Sequence, residues 1–420
     1  MRFYLLCSLV ALLPAFCLAG ISFTRNDQGP VDFSQHKVIR IQPSSAEHLE
    51  QLRKLELEYE MDFWNPAMPD MRPVLTIIDP QRSQFLTALN YSRIGYEVVH
   101  HNYQKVVEQE RQEMVMASRG QRDPNYDYET KYHTYDEILK QIKYLATTYP
   151  AKATYIKVGT TYEGREIPAL AIGSGSKVVF LECGIHSREW VTIAFGTWVS
   201  NALINDPANA ALLSTYKFIV VPVLNVDGFV YTHTNNRLWR KTRSRSKVNP
   251  SCYGADPNRN WATSFCTQGA STNPCSETYC GDSAFSEVEA KQMSELVNQY
   301  KTQTVAYFAI HSYSQLWMYP YGYKTALPTN SAKLKEISQA GIAAIKATGG
   351  LTFTEGPIAT AIYIASGSSA DWVYEAAGIQ ISFALELRDK GQYGFQLPAN
   401  QIKPACLETW AGIKAALAKI

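Results

Sequence analysis

The chain has almost no excess of charge of either sign. Its 40 basic residues face 38 acidic ones, a formal net charge of +2, which gives no basis for binding nucleic acid or an anionic membrane surface. Beyond the first residues it has no apolar run long enough to span a bilayer, for which about 20 residues are needed. It has no internal repeat and no low-complexity segment, so neither a solenoid nor a disordered array is indicated. It also lacks the short helical His-Glu-x-x-His motif, so the metalloprotease mechanism built on that helix is not indicated.

What is present reads as a secreted globular protein. With 46% hydrophobic and 19% charged residues over 420 positions, the chain can bury sizeable cores and is long enough for two or more domains. MRFYLLCSLVALLPAFCLAG opens with Arg2, an apolar stretch and small residues, a secretory signal with cleavage expected after Ala19. A membrane anchor is the alternative, opposed by the short run and its proline. Cys7 and Cys17 leave with that signal. Cys183, Cys252, Cys266, Cys275, Cys280 and Cys406 remain, a set that in an oxidising compartment normally means disulfides. Four of them fall between 252 and 280 in a Pro-, Asn- and Ser-rich stretch. A zinc knuckle is the rival there, opposed by irregular spacing.

Residues 36 to 101 alternate strand and helix. HKVIRIQ reads as a strand and SSAEHLEQLRKLELEYE as a Ser-capped amphipathic helix. EMDFW and RPVLTIID read as two strands, PQRSQFLTALN as a helix opened by proline, and IGYEVVHH as a final strand. The βαββαβ order predicts a small ferredoxin-like domain. Asn90-Tyr91-Ser92 is a candidate glycosylation acceptor. A charged helix then dissolves into SRGQRDPN, where Arg119 and Arg122 lie in a stretch broken by Gly120 and Pro124. This is either an interdomain linker or a segment cut by a trypsin-like enzyme. From Tyr132 the pattern is α/β. Thr134 and Glu137 form a capping box, as do Ser286 and Glu289. The runs KVVFLEC, KFIVVPVLN, QTVAYFAIH and ISFALEL are continuous enough to be strands covered on both faces.

Three of these strands end in polar residues of metal-binding or catalytic type. KVVFLEC leads into His186 and Glu189, AYFAIH ends on His311, and ISFALEL contains Glu386. A single such histidine is ordinarily a hydrogen-bonded core residue, and His-x-x-Glu alone recurs by chance. Three polar strand ends at the carboxyl edge of an α/β sheet are where a site forms. Two imidazoles and a carboxylate with an open fourth position are a catalytic zinc set, and Glu386 is available to take a proton from water. Asn258 and Arg259 in DPNRNW make a donor-rich turn suited to a carboxylate. Asp256 beside them is placed to hold a ligand histidine in one tautomer.

GIHSREW, NRLWRKTRS, DPNRNW, AIHSYSQLWMYPYGY, IYIASGSSADW and LELRDKGQYGFQLPA together resemble the zinc metallocarboxypeptidases of the digestive type, the pancreatic carboxypeptidase A/B family. The resemblance runs from about Tyr132 to the C-terminus, and the upstream unit is similar to that family's pro-segment. It implies a mixed, mostly parallel sheet flanked by helices, preceded by a ferredoxin-like α+β pro-domain. The expected organisation is a signal peptide at 1–19, pro-domain at 20–101, activation segment at 102–122 and catalytic domain at 123–420. It further implies His186, Glu189 and His311 as ligands of one Zn2+ per chain. Glu386 is then the general base, and Arg240 polarises the scissile carbonyl. Asn258 and Arg259 grip the terminal carboxylate, with Tyr363 closing over it. Arg188, Tyr313 and Phe395 line remote subsites. The specificity pocket has Ala370 where Asp would select Lys or Arg, with Ile358, Ile362 and Ala384 around it, so aliphatic or aromatic ends are expected. An unpaired Lys or Arg there would cost several kcal/mol. Cys252–Cys275 and Cys266–Cys280 are the implied disulfides, with no partner assigned to Cys183 or Cys406. The implied partners are peptide and protein C-termini and an activating trypsin-like protease; the protein is expected to be an extracellular monomer. The alternatives are a catalytically silent secreted peptide-binding relative, a zinc acylase on the same scaffold and a B-like basic-specific enzyme.

Overall fold

A computed structural model describes residues 29–120 and 126–420. The expected signal peptide at 1–19 and Arg122 lie outside the described residues. The first unit runs β1 (Lys37–Gln42), α1 (Ala46–Glu58), β2 (Val74–Ile78), α2 (Gln84–Tyr91), β3 (Gly95–His100), and a long helix α3 (Tyr103–Gly120) leads away from it. Its three strands form an antiparallel sheet in the order β2-β1-β3. Ile39, Ile41, Leu52, Phe85 and Leu89 are buried in its core. Ser45 caps α1 by accepting from the His48 N–H, which satisfies one of the donors a helix start leaves open.

EMDFW does not form the expected second strand. It makes one antiparallel bridge, Phe63 to Thr76, and the Trp64 N–H donates to the Leu75 carbonyl at 2.8 Å. Asn65-Pro66 follows at once, and a proline has no N–H to continue a ladder. Instead of pairing, the segment leaves the small sheet and enters the cleft of the second unit. Asn90 is exposed at the end of α2.

The second unit contains α4 (Tyr135–Thr148), β4 (Ala153–Thr160), β5 (Glu166–Ile172), β6 (Lys177–Cys183), α5 (Trp190–Asn205), α6 (Ala210–Thr215), β7 (Tyr216–Val221) and α7 (Val226–Thr234). After a long disulfide-bearing loop come α8 (Val288–Tyr300), β8 (Thr304–His311), β9 (Leu316–Tyr319), α9 (Ser331–Gly349), β10 (Thr354–Pro357), α10 (Ile358–Ala361), α11 (Ser369–Glu375), β11 (Ser382–Glu386) and α12 (Ile402–Leu417). The eight strands form one sheet, ordered β10-β9-β11-β8-β6-β7-β5-β4. The central four, β11, β8, β6 and β7, are mutually parallel. They are the continuous apolar runs of the sequence. Val179, Phe180, Leu181, Phe218, Ile219, Tyr307, Phe308, Phe383 and Leu385 are all fully buried, each contributing about 1.5–3 kcal/mol.

Thr134 and Glu137 form their capping box on α4. The box expected at Ser286 and Glu289 does not form. Helix α8 begins one residue later than that pattern needs, with Glu287 in the cap position and no side-chain cap. Ser286 Oγ donates to Glu287 Oε1 at 3.0 Å, and Glu289 is turned wholly into the protein. Cys252–Cys275 and Cys266–Cys280 are bonded, while Cys183 and Cys406 are free and buried. Among the described residues no helix is long and apolar enough to cross a membrane.

Candidate active site

The parallel register brings the strand ends together. His311 is the last residue of β8 and pairs with Glu386, the last of β11. On the other side, β6 ends at Cys183 and the chain turns out of the sheet at Gly184, whose φ is +65°. A Cβ there would stand 2.7 Å from Ile193 Cγ1, so only glycine makes this turn without strain. The turn delivers His186 and Glu189 above the edge. Glu189 occupies the N-cap of α5 yet makes no cap hydrogen bond; its carboxylate points at the histidines.

Glu189 Oε1 lies 2.7 Å from His186 Nδ1, and Oε2 lies 3.5 Å from His311 Nδ1. The two Nδ1 atoms are 3.2 Å apart. One ligand atom from each of the three residues falls within 4.8 Å of the others, and all three residues are buried. His186 Nε2 lies 3.2 Å from Asp256 Oδ1. With a metal at the centre of the cluster, the proton would sit on Nε2 toward Asp256 and the Nδ1 lone pair would face the ion. Two imidazole nitrogens converging with a carboxylate form a group able to hold a metal ion. The donor set fits zinc, which takes nitrogen and oxygen ligands at about 2.0–2.2 Å.

Burial lowers the His186 pKa, as does the neighbouring Arg240. That favours the neutral ring a metal requires. Burial alone would raise the Glu189 carboxyl, but His186 and His311 outweigh it and hold it well below the usual range. Asp256 is treated likewise: burial opposes its charge, while Arg240, Arg259 and His186 keep it ionised. The Glu386 carboxyl is pushed the other way, up by burial and by the charge of Glu189, with Arg240 opposing.

Arg240 donates from Nε and Nη2 to Asp256 Oδ2 at 3.1 and 2.8 Å. Asp256 thus holds both His186 and Arg240 in place, a double role the sequence did not show. Arg259 donates to the carbonyls of Gly269 and Asn258 at 2.8 and 3.0 Å, and its guanidinium lies 5.4 Å from the Tyr363 ring. Arg240, Arg259, Ile362, Tyr363 and Glu386 line one cavity of about 1230 Å³ together with His186 and Glu189. Ala370, Ala384 and Ile358 are buried and do not line it.

Arg188, Tyr313 and Phe395 also line that cavity, and here the first unit occupies them. Arg188 forms a two-pronged ion pair with Asp62, at 2.5 and 3.0 Å. Tyr313 donates to Asn65 Oδ1 at 3.1 Å, and Trp64 packs on Phe395 with ring centroids 5.5 Å apart. Arg237 donates to Glu110 of α3 at 2.6 and 3.1 Å and to the Phe395 carbonyl at 2.8 Å. Reading the sequence missed Asp62, Asn65, Glu110 and Arg237. The one available signal was the polar Asp62 and Asn65 flanking two aromatics in a segment too short and proline-broken for a strand.

A sheet whose strand ends gather two histidines and a glutamate beside a second carboxylate and two buried arginines defines a metallohydrolase. Residues 138–412 match the family model described as zinc carboxypeptidase, and residues 39–110 match that of the carboxypeptidase activation peptide. The chain is 40% identical over 394 residues to carboxypeptidase A1 of Sus scrofa, covering 91% of this chain and 93% of that one. It is 36% identical over 415 residues to carboxypeptidase B of Homo sapiens, covering 96% and 97%. Among solved structures, the carboxypeptidase A from Helicoverpa armigera superposes with a TM-score of 0.86 at 28% identity, covering 92% of this chain and 98% of that one. This chain belongs to the zinc carboxypeptidase family and carries that family's activation peptide.

Proposed function

We propose that this chain is the secreted precursor of an exopeptidase that hydrolyses the C-terminal peptide bond, holds one zinc ion per chain, and prefers aliphatic or aromatic ends. The observation that carries the reading is the His186–Glu189–His311 cluster, two of whose members, His186 and Glu189, line one cavity with Glu386, Arg240, Arg259 and Tyr363. Zinc held by the first three would supply Lewis-acid chemistry, polarising a carbonyl and lowering the pKa of water to about 7. Arg259 and Asn258 take the substrate's terminal carboxylate, which restricts cleavage to the last bond, and Tyr363 closes over it. Arg240 donates to the oxygen on which charge develops. Glu386 takes the proton of the attacking water and passes it to the leaving amine.

Ile362 on the cavity wall supports the apolar preference, and Ala370, Ala384 and Ile358, buried off that wall, add no group that could pair a cation. The engagement of Arg188, Tyr313 and Phe395 by the first unit supports a zymogen. Release follows cleavage after Arg119 or Arg122, and the mature enzyme acts as a monomer.

The test begins with trypsin-treated protein and peptides differing only in their last residue, with and without a zinc chelator. Chelator-sensitive release of Phe, Tyr, Leu or Trp, with Lys and Arg spared, is expected, and Ala370→Asp should reverse the preference. Release of Lys or Arg by the parent enzyme would overturn the pocket assignment. No release from any peptide by the zinc-loaded, cleaved protein would overturn the catalytic one.

A further inference from the structure

One carboxylate in the sheet takes no part in the chemistry above. Glu182 sits on β6, four residues before His186, and is fully buried. A carboxylate in such a place costs several kcal/mol unless both oxygens are satisfied. Both are. Oε1 accepts from Ser369 Oγ at 3.1 Å, and Oε2 accepts from the Tyr307 hydroxyl of the neighbouring strand β8. Ser369 and Tyr307 are themselves fully buried.

Ser369 opens α11, and its backbone N–H donates to Asn258 Oδ1 at 3.0 Å. The first turn of α11 is tied down on each side of it. Ser368 Oγ accepts from the Asp371 N–H at 3.2 Å, and Ser382 Oγ donates to the Ala370 carbonyl at 2.8 Å. Asn258 is fixed from its other end, its N–H donating to Asp256 Oδ1 at 2.8 Å. With Oδ1 engaged by Ser369, the Asn258 amide has one orientation, and its Nδ2 donor end is the end left for a ligand. Turned over, the amide would present an oxygen to the substrate's carboxylate, and attraction would become repulsion.

We propose that Glu182 is a positioning residue for carboxylate recognition: by anchoring the Ser369 side chain from below, it holds the backbone donor that sets the Asn258 amide. This rests on the assignment of Asn258 and Arg259 to the terminal carboxylate. Glu182 touches no substrate, so it acts on binding and not on bond breaking. A fixed polar relay of this kind is a reason to retain a buried carboxyl group where an apolar side chain would pack.

The experiment uses the trypsin-cleaved, zinc-loaded enzyme and the hydrolysis of benzoyl-glycyl-phenylalanine. Glu182→Ala should raise KM about tenfold with kcat within about twofold, the signature of lost binding shared by ground and transition states. Glu182→Gln keeps an acceptor for Ser369 and should recover most of the loss. Ser369→Ala, which cuts the same relay with little change in volume, should shift KM in the same direction. In an Asn258→Ala background, Glu182→Ala should add nothing further, because two residues in one chain of contacts do not act independently. An unchanged KM in both relay variants, or a Glu182 effect that multiplies fully with that of Asn258→Ala, would overturn the proposal. If Asn258→Ala itself leaves KM unchanged, the carboxylate assignment fails and this relay fails with it.

Discussion

One of the two forked ion pairs between the two units can be removed by a single substitution. Asp62 and Arg188 meet through two parallel hydrogen bonds, with the Arg188 side chain 2% exposed and that of Asp62 20% exposed. Burial opposes the Arg188 charge, and Asp62 more than compensates. In Asp62→Ala, Arg188 keeps a 3.4 Å contact to the Leu238 carbonyl, the face of the Phe395 ring 4.2 Å away and the electrostatic attraction of Glu277. None of these replaces a directly paired carboxylate, so the closed state holds a poorly compensated buried charge costing about 3 kcal/mol. Opening the two units lets water reach Arg188 and relieves that cost. The open fraction should therefore rise about a hundredfold. The Asn65–Tyr313, Arg72–Ser314 and Glu110–Arg237 contacts persist, so the units stay associated most of the time. The assay is basal hydrolysis of a long peptide by uncut precursor, with Arg119 and Arg122 both replaced so that adventitious cleavage contributes nothing. Basal activity should climb steeply in Asp62→Ala, while enzyme freed of the first unit, assayed from precursors with both arginines intact, should be identical with or without the substitution. Basal activity unchanged by the substitution would refute the reasoning and place the block in the apolar packing of Trp64.

Glu386→Gln should lower kcat by about a thousandfold while metal content, read by atomic absorption, stays at one equivalent; loss of the metal would show that Glu386 is a ligand and not a base. Glu289 offers a stability test far from the cleft. Burial, with Glu287 and Asp227 nearby, raises its carboxyl to about 8. The folded state therefore retains a proton that the unfolded state releases near its ordinary value of about 4.5. The associated stability is complete below that value and is lost as pH rises through about 8. Glu289→Gln, which cannot ionise, should gain several degrees in Tm relative to the parent between pH 5 and pH 8.5, and a difference that does not change with pH would show that the carboxyl is not held protonated.

The four central strands were readable because each is buried on both faces and so needs apolar residues at every position, in runs too short for a helix. The metal cluster was readable only in part. His186 and Glu189 are neighbours in sequence, but His311 and Glu386 come from strands far along the chain, and the parallel register that sets them side by side is not a local property. Their convergence was expected from their positions at strand ends, and the individual roles proposed for them rest on the family resemblance. Where local rules failed, tertiary contacts had overridden them. Ser286 and Glu289 have the spacing of a capping box, yet Ser286 is drawn to Glu287 and to the Asn260 side chain at 2.9 Å, and Glu289 is buried.

EMDFW has the composition of a strand, and its failure to become one has a functional cause. A fourth strand would have kept Asp62 and Asn65 at the edge of the small sheet. A single bridge at Phe63 instead frees both side chains to reach Arg188 and Tyr313, 126 and 248 residues away in sequence. Those two residues, with Phe395, form the wall assigned to the more remote parts of a substrate. Arg259, by contrast, makes its two hydrogen bonds within the second unit. The first unit thus occupies the wall proposed for the far end of a long peptide, and among the described hydrogen bonds it makes none to Arg259, the arginine proposed to read the chain end. A precursor blocked this way should be closed most firmly to long substrates and least to the smallest, which is why basal turnover of a long peptide is the sensitive readout of the Asp62–Arg188 pair.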